Sequence, residues 1–126
     1  MSFVIDASAL LALMFAERGA DKVLGRAQGG YISAVNMVEI LAKCAAKGIA
    51  GSAVRMQAAR LKIIIVPFSE EAAQIAADLL PDTRPHGLSL ADRACLALAK
   101  SLELPVLTAD RDWAALDVGV EIILIR

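Results

Sequence analysis

Short apolar segments alternate with longer helical segments along this chain of 126 residues, and the alternation limits the folds that it can adopt. Parallel strands need long crossover connections, which are usually helices, whereas antiparallel strands can be joined by tight turns. The alternation therefore predicts an α/β fold with a central parallel sheet covered by helices. Strands are predicted at residues 3–5, 31–33, 63–68, 106–108 and 120–125.

The segments between these strands carry apolar residues at helical spacing. The strand at 63–68 is predicted to be buried, and residues 81–87, "PDTRPHG", are predicted to form a loop because they are rich in proline and polar groups. Residues 1–126 are expected to form one domain. Helices are predicted from about Ser8, at 21–27, 34–48, 52–61, 69–80 and 88–104, and near Trp113.

Hydrophobic residues make up 58% of the chain and the mean hydropathy is +0.61, so we expect some apolar surface to be left for a protein partner. No segment reaches the roughly 18 apolar residues of a membrane span, and the N-terminus does not resemble a signal peptide. We therefore expect no membrane partner and a cytoplasmic location. Cys44 and Cys95 lack the spacing of a zinc or redox motif and are expected to be buried, reduced thiols.

The charge balance restricts any role on nucleic acid. A formal net charge of -1 and a pI of about 5.8 argue against a protein that holds nucleic acid mainly through a basic face. Such a role needs another source of positive charge.

Lys43 and Lys47 are expected on the exposed side of the helix that contains Glu39.

Four carboxylates are expected at one edge of the predicted sheet. Asp6 ends the first strand, and Asp110 ends the strand at 106–108. Glu39 and Asp92 are predicted in the first turns of two helices. Because every strand-to-helix junction of a parallel sheet lies at its carboxyl edge, where ligands bind, the four acids can face one small volume.

Each of these acids also has a purely structural explanation. Ser89 and Asp92 fit the S-x-x-D form of a capping box. Asn36 and Glu39 have a similar spacing, and the two acids that end strands can each cap the following helix. For any one residue considered alone, capping is the favoured interpretation.

Considered together, the four acids favour a shared function. A cap contributes about 1 kcal/mol, whereas two like charges about 4 Å apart repel by roughly 4 kcal/mol at an effective dielectric constant of about 20. Converging carboxylates therefore need a cation or shared protons. Because the sequence has no cluster of histidine or cysteine residues, oxygen ligands point to Mg²⁺ or Mn²⁺ over Zn²⁺.

Four stretches surround these acids: "VIDASALLAL" at Asp6, "ISAVNMVEIL" at Glu39, "LSLADRACLALA" at Asp92 and "VLTADRDW" at Asp110. In this order and at these intervals they resemble the PIN-domain family. In size and motif order the chain is similar to the VapC-type toxin ribonucleases of toxin-antitoxin pairs. The resemblance covers essentially the whole chain.

The resemblance implies a three-layer α/β/α sandwich with a central parallel sheet and an endoribonuclease that depends on Mg²⁺ or Mn²⁺. It implies RNA as the substrate and a cognate antitoxin protein as a partner. The apolar excess favours a two-fold homodimer. The catalytic and metal-binding quartet carried over by the resemblance is Asp6, Glu39, Asp92 and Asp110.

Other residues near the predicted edge have weaker claims. Ser8 and Thr108 are predicted to support the quartet by hydrogen bonds, and Asp112 is a weaker candidate for a metal ligand. Trp113 is expected to pack rather than to stack on a base. Three nearby arginines are candidates for contact with RNA phosphate: Arg84, Arg93 and Arg111. Solvent exposure or an ion pair explains each of them equally well.

Two other protein classes share this length and alternation. A receiver domain of a two-component system needs a pair of acids after the first strand and an Asp directly after the middle strand, and "IIIVPFSEE" supplies no such Asp. A phosphatase with an aspartate nucleophile needs D-x-D, and Ser8 stands where the second Asp would be. The remaining alternatives are a non-catalytic PIN-fold binding module and a free-standing PIN nuclease without an antitoxin.

Overall fold

Five short strands, made largely of Val, Ile and Leu, form one sheet in the computed structural model, which describes residues 1–126. All four neighbouring pairs are parallel, and the strand order is β3-β2-β1-β4-β5. The predicted parallel sheet is therefore confirmed. The strands are β1 Val4–Ile5, β2 Tyr31–Ser33, β3 Ile64–Val66, β4 Val106–Thr108 and β5 Ile122–Leu124.

Seven α-helices connect and cover the strands, close to their predicted positions. Two 3₁₀ helices, Arg84–His86 and Arg111–Ala115, lie before and after the last long helix. No helix is both long enough and apolar enough to cross a membrane. The helices are α1 Ala7–Met14, α2 Ala20–Arg26, α3 Ala34–Ala46, α4 Gly51–Arg60, α5 Glu70–Asp78, α6 Leu80–Thr83 and α7 Leu90–Leu102.

The sheet separates two hydrophobic cores, because successive side chains of a strand point to opposite faces. Ile5 and Leu107 belong to a core shared with α1 to α4. Their neighbours Val4 and Val106 belong to a second core, shared with α5 and α7. The three layers confirm the predicted α/β/α sandwich.

The strand predicted at 63–68 is present, but the prediction that it is buried is wrong. β3 is an edge strand, and Ile64 and Ile65 are 50% and 41% exposed. A run of β-branched residues predicts a strand, but it does not reveal whether the strand lies inside the sheet or at its edge. The exposure results from the position of β3 at one end of the sheet.

The prediction of a loop at 81–87 is also wrong. Leu80–Thr83 form α6, which contains Pro81 in its first turn. Proline is tolerated there because its missing N–H would have no partner inside the helix. The chain then makes the 3₁₀ helix and leaves it at Gly87, whose φ of 70° suits glycine.

The strand order determines where a ligand can bind. The chain adds β2 and β3 on one side of β1, and β4 and β5 on the other side. The direction of winding therefore reverses between β1 and β4, and such switch points open a crevice at the carboxyl ends of the strands. Asp6 directly follows β1, and Asp110 follows β4 by two residues.

Candidate active site

Asp6 is the buried carboxylate of the candidate site, with only 4% of its surface exposed. It occupies the N-cap position of α1, but its side chain makes no capping hydrogen bond, so the capping explanation is wrong for this residue. Ser8 Oγ and Thr108 Oγ1 instead donate hydrogen bonds to Asp6 Oδ2, at 2.5 and 2.9 Å. Both hydroxyls therefore hold the same carboxylate oxygen.

The backbone after β4 fixes the two hydroxyls. The backbone N–H of Ala109 donates to Ser8 Oγ at 2.9 Å, and that of Asp110 donates to Thr108 Oγ1 at 3.0 Å. Each hydroxyl can then give its single proton to Asp6. The network holds the Asp6 carboxylate against the ends of both central strands.

Burial raises the pKa of Asp6 from 3.8 to about 6, because desolvation disfavours the charged carboxylate. The hydrogen bonds from Ser8 and Thr108 oppose this shift by stabilising the charged form. The negative charges of Asp92 and Glu39 raise the pKa further. A cation beside Asp6 would offset both the desolvation and the repulsion.

Asp92 forms the predicted capping box at the N-terminus of α7. Its backbone N–H donates to Ser89 Oγ at 3.2 Å, and the backbone N–H of Ser89 donates to Asp92 Oδ2 at 2.9 Å. The capping prediction is thus confirmed. The box uses one carboxylate oxygen, so capping by this residue and metal binding do not exclude each other.

Glu39 lies in the second turn of α3 and not in its first turn, because the helix begins at Ala34. Asn36 lies inside the helix and is not its cap, so the capping interpretation of Asn36 and Glu39 is wrong. This side chain is fully buried, and its Nδ2 donates to Glu39 Oε1 at 3.4 Å and to the carbonyl oxygen of Ala91 at 3.0 Å. Asn36 therefore ties Glu39 to the start of α7, beside Asp92.

Asp110 caps the second 3₁₀ helix, since its Oδ1 accepts a hydrogen bond from the backbone N–H of Asp112 at 3.0 Å. Its own backbone N–H binds the Thr108 hydroxyl that also donates to Asp6. The side chain of Asp112 is exposed and makes no hydrogen bond. The weaker assignment of Asp112 as a metal ligand stays a prediction.

Three of the four acids influence a common region. The charges of Asp92 and Glu39 act on Asp6, and the charges of all three acids act on the thiol of Cys95. Burial is the largest cause of the raised pKa of this thiol, and the three charges raise the pKa further. The sequence predicted that Cys95 is a buried, reduced thiol, which is confirmed, but it did not predict that this thiol lies near the acids. As the side chains are oriented, no three acidic, histidine or cysteine side chains are close enough together to hold a metal ion.

The donor set nevertheless fits a divalent cation that prefers oxygen ligands. In each acid of the quartet, one carboxylate oxygen accepts a hydrogen bond from the protein and the other accepts none. Such hydrogen bonds orient a carboxylate and leave its second oxygen available to a metal. Carboxylate oxygens of this kind are the ligands that Mg²⁺ and Mn²⁺ prefer. The assignment of the quartet as metal ligands stays a prediction.

The sequence model of the PIN domain family matches residues 3–119 of this chain. The chain belongs to the PIN domain family. No curated protein sequence matches it.

Solved structures of toxin-antitoxin proteins have the same fold as this PIN domain. A toxin-antitoxin complex from Klebsiella pneumoniae matches with a TM-score of 0.78 and 21% identity over 98% of both chains. VapC20 from Mycobacterium tuberculosis, described as a Sarcin-Ricin loop cleaving toxin, matches with a TM-score of 0.71 and 18% identity over 96% of this chain and 99% of that one. VapBC-5 from the same organism matches with a TM-score of 0.61 and 27% identity over 98% of both chains.

The aromatic and basic residues singled out in the sequence have different surroundings in the PIN domain. Trp113 is completely buried, which confirms its predicted packing. Arg93 Nη1 donates to the carbonyl oxygen of Ala76 at 3.1 Å and so ties α7 to α5, a contact that competes with RNA binding. Arg84 and Arg111 are exposed, and their contact with RNA stays a prediction.

Proposed function

We propose that this PIN domain is an endoribonuclease that hydrolyses RNA phosphodiester bonds with Mg²⁺ or Mn²⁺, and that it is the toxin of a toxin-antitoxin pair. The observation that carries the proposal is that Asp6 and Asp110 follow the two strands at the switch point of the sheet, and that each acid of the proposed quartet keeps one carboxylate oxygen free of hydrogen bonds. Similar folds in toxin-antitoxin complexes and in a toxin described as cleaving the Sarcin-Ricin loop support it. A toxin that cuts cellular RNA would act in the cytoplasm, which is the location that we propose.

The quartet would hold the cation, which supplies the charge that polarises a phosphodiester and acidifies a bound water molecule. The protein itself contributes orientation. Ser8 and Thr108 hold one oxygen of Asp6, which leaves the other oxygen for the ion. Asn36 holds Glu39 beside the start of α7. Because the pKa of Asp6 is about 6, this carboxylate is ionised near neutral pH.

Metal dependence is the first test of the proposal. The purified protein is expected to cut structured RNA in Mg²⁺ or Mn²⁺, to stop in EDTA, and to resume when metal is returned in excess. The cleavage is measured as the decay of end-labelled RNA on a gel. Protein carrying Asp110→Asn, purified in the same way, controls for contaminating nucleases. Equal cutting in EDTA and in Mg²⁺ would contradict the proposal.

The toxin assignment adds two protein partners, a cognate antitoxin and a second copy of this chain. Several large apolar side chains are exposed, which is the surface that such partners cover. A small protein encoded beside this one is expected to co-purify with it and to inhibit cutting. Light scattering is expected to give twice the 13.3 kDa mass of the chain. The most exposed of these side chains on helices are Leu24, Val38, Met56 and Leu90.

Each partner can fail separately. If light scattering gives the mass of a monomer at high concentration, the homodimer is wrong. If no co-expressed neighbour co-purifies, the chain is better described as a free-standing PIN nuclease. If the neighbour binds and the protein cuts no RNA in any divalent metal, the chain is a binding module with the PIN fold.

A further inference from the structure

A cleft of about 450 Å³ lies between α1 and α3 and begins beside the candidate site, because Ser8 lines the cleft and also donates to Asp6. We propose that this cleft is a subsite for the RNA strand next to the scissile phosphate. Lys43 and Lys47 bind its phosphates, and Phe15 stacks on one base. The inference rests on the proposed nuclease function and adds the path of the strand.

The α3 wall of the cleft carries a stripe that starts at the quartet. Glu39, Lys43 and Lys47 follow one another at intervals of four residues, and the two lysines line the cleft. Four residues make about one helical turn, so each step moves about 6 Å along the helix axis. A strand whose scissile phosphate lies at the quartet would therefore pass the two lysines in succession.

The cations of the cleft supply local positive charge in a protein whose net charge is -1. Lys43 and Lys47 are exposed and form no salt bridge. Arg126 also lines the cleft, where its guanidinium lies 3.5 Å from Glu17 and donates to the carbonyl oxygen of Arg18. The two unpaired lysines are therefore the main groups available to neutralise phosphates.

The α1 wall contributes apolar and aromatic surface. Ser8, Leu11 and Phe15 are spaced by three and four residues, so they share one face of α1 and its C-cap. Phe15 is half-buried, and the ammonium group of Lys47 lies 4.3 Å from the centre of its ring. A cationic track beside an aromatic ring is the arrangement that binds single-stranded nucleic acid, because phosphates pair with the cations and bases stack on the ring.

An acidic peptide could also pair with the lysines, but two features favour RNA. The lysine stripe is continuous with Glu39, so a phosphate chain can occupy the cleft and the quartet together. A base can replace the ammonium group of Lys47 on the face of the Phe15 ring, and the displaced ammonium group can then pair with the neighbouring phosphate. An acidic peptide gains nothing from this continuity, because its carboxylates are repelled by those of the quartet.

The test compares two double variants that remove the same charge. Lys43→Gln with Lys47→Gln neutralises the cleft, and Lys62→Gln with Lys100→Gln neutralises two exposed lysines that do not line it. Binding of a short fluorescent single-stranded RNA is measured by anisotropy in EDTA, so that the RNA stays intact. The cleft variant is expected to lose about tenfold or more in affinity. Its plot of log affinity against log salt should be shallower by about 1.4, because two phosphate contacts on a single strand are lost.

The control variant is expected to keep its affinity within about twofold and to keep the salt slope of the wild type, because its lysines contact no phosphate. Equal losses in both double variants, or an unchanged affinity in the cleft variant, overturn the subsite. A peptide of alternating Glu and Leu is measured in parallel. If the cleft variant loses the peptide and keeps the RNA, the cleft is a protein-binding site and the proposal is overturned.

Kinetics in Mg²⁺ separates this inference from the nuclease assignment. The cleft variant is expected to raise KM more than it lowers kcat, because binding away from the scissile bond stabilises substrate and transition state alike. Loss of RNA affinity in a protein that cuts no RNA would support the subsite and refute the nuclease. Metal-dependent cutting by a cleft variant with unchanged KM and unchanged RNA affinity would support the nuclease and refute the subsite.

Discussion

Asp6→Asn is expected to reduce RNA cleavage by more than about a hundredfold while the fold stays intact. Loss of a residue that only orients a metal ligand costs about 10–100-fold, and a proposed ligand should cost more. Asparagine keeps the size of Asp6 and an oxygen that can accept from Ser8 and Thr108, but it loses the charge. Initial rates in Mg²⁺, with thermal melts of the same samples, measure the effect.

The same loss is expected for Asp92→Asn, in which the amide oxygen can still accept from the backbone N–H of Ser89. Asp78→Asn is the matched control, because Asp78 is an exposed acid on α5 whose side chain accepts from Gln74. The control removes one negative charge and should keep the activity of the wild type. Full activity of Asp6→Asn or of Asp92→Asn would show that the quartet is not the catalytic site.

Without metal, the contribution of Asp6 to the stability of the protein is expected to be lost as the pH rises from about 4 to about 7. The pKa of Asp6 is about 6 in the folded protein, against 3.8 for the ordinary side chain. Between these values the folded protein keeps a proton that the unfolded chain has released. The contribution to stability is therefore complete below pH 3.8 and is lost as the pH passes about 6. A shift of about two units corresponds to about 3 kcal/mol.

Urea denaturation in EDTA, with wild type and Asp6→Asn at each pH, isolates this contribution from that of the other acids. At about pH 4 the two proteins should be nearly equally stable, because Asn and protonated Asp are both neutral. At about pH 7 the variant should be more stable by up to about 3 kcal/mol. A difference that does not change with pH, or a variant less stable at pH 7, would contradict the effect of burial.

At neutral pH, Mg²⁺ should offset most of the stability that wild type lacks relative to Asp6→Asn. A ligand that binds only the folded wild type adds about 2.7 kcal/mol when its concentration is about 100 times its dissociation constant. Asp6→Asn should respond weakly, since it lacks a proposed ligand. Asp92→Asn is a second variant to compare with wild type in EDTA. Because the substitution weakens the helix cap, it should lower the stability by about 1 kcal/mol or less. Equal responses of wild type and Asp6→Asn to Mg²⁺ would argue against a metal site that includes Asp6.

Features that depend on neighbouring residues in the chain could be predicted from the sequence. The alternation of strands and helices predicted the parallel sheet, because each segment carries its own periodicity. The spacing of Ser89 and Asp92 predicted the capping box, whose hydrogen bonds join residues only three positions apart. Asp6 and Asp110 were placed at the sheet edge because they end predicted strands.

Contacts between distant segments were decided only by the tertiary structure. The exposure of β3 follows from its place at the end of the strand order, which the apolar run of this strand does not encode. Asn36 has the spacing of a cap, but it binds Ala91, 55 residues away. The raised pKa of Asp6 and the cleft beside Ser8 likewise arise from packing. Periodicity and caps act over a few residues, whereas burial and electrostatic coupling depend on which segments the fold brings together.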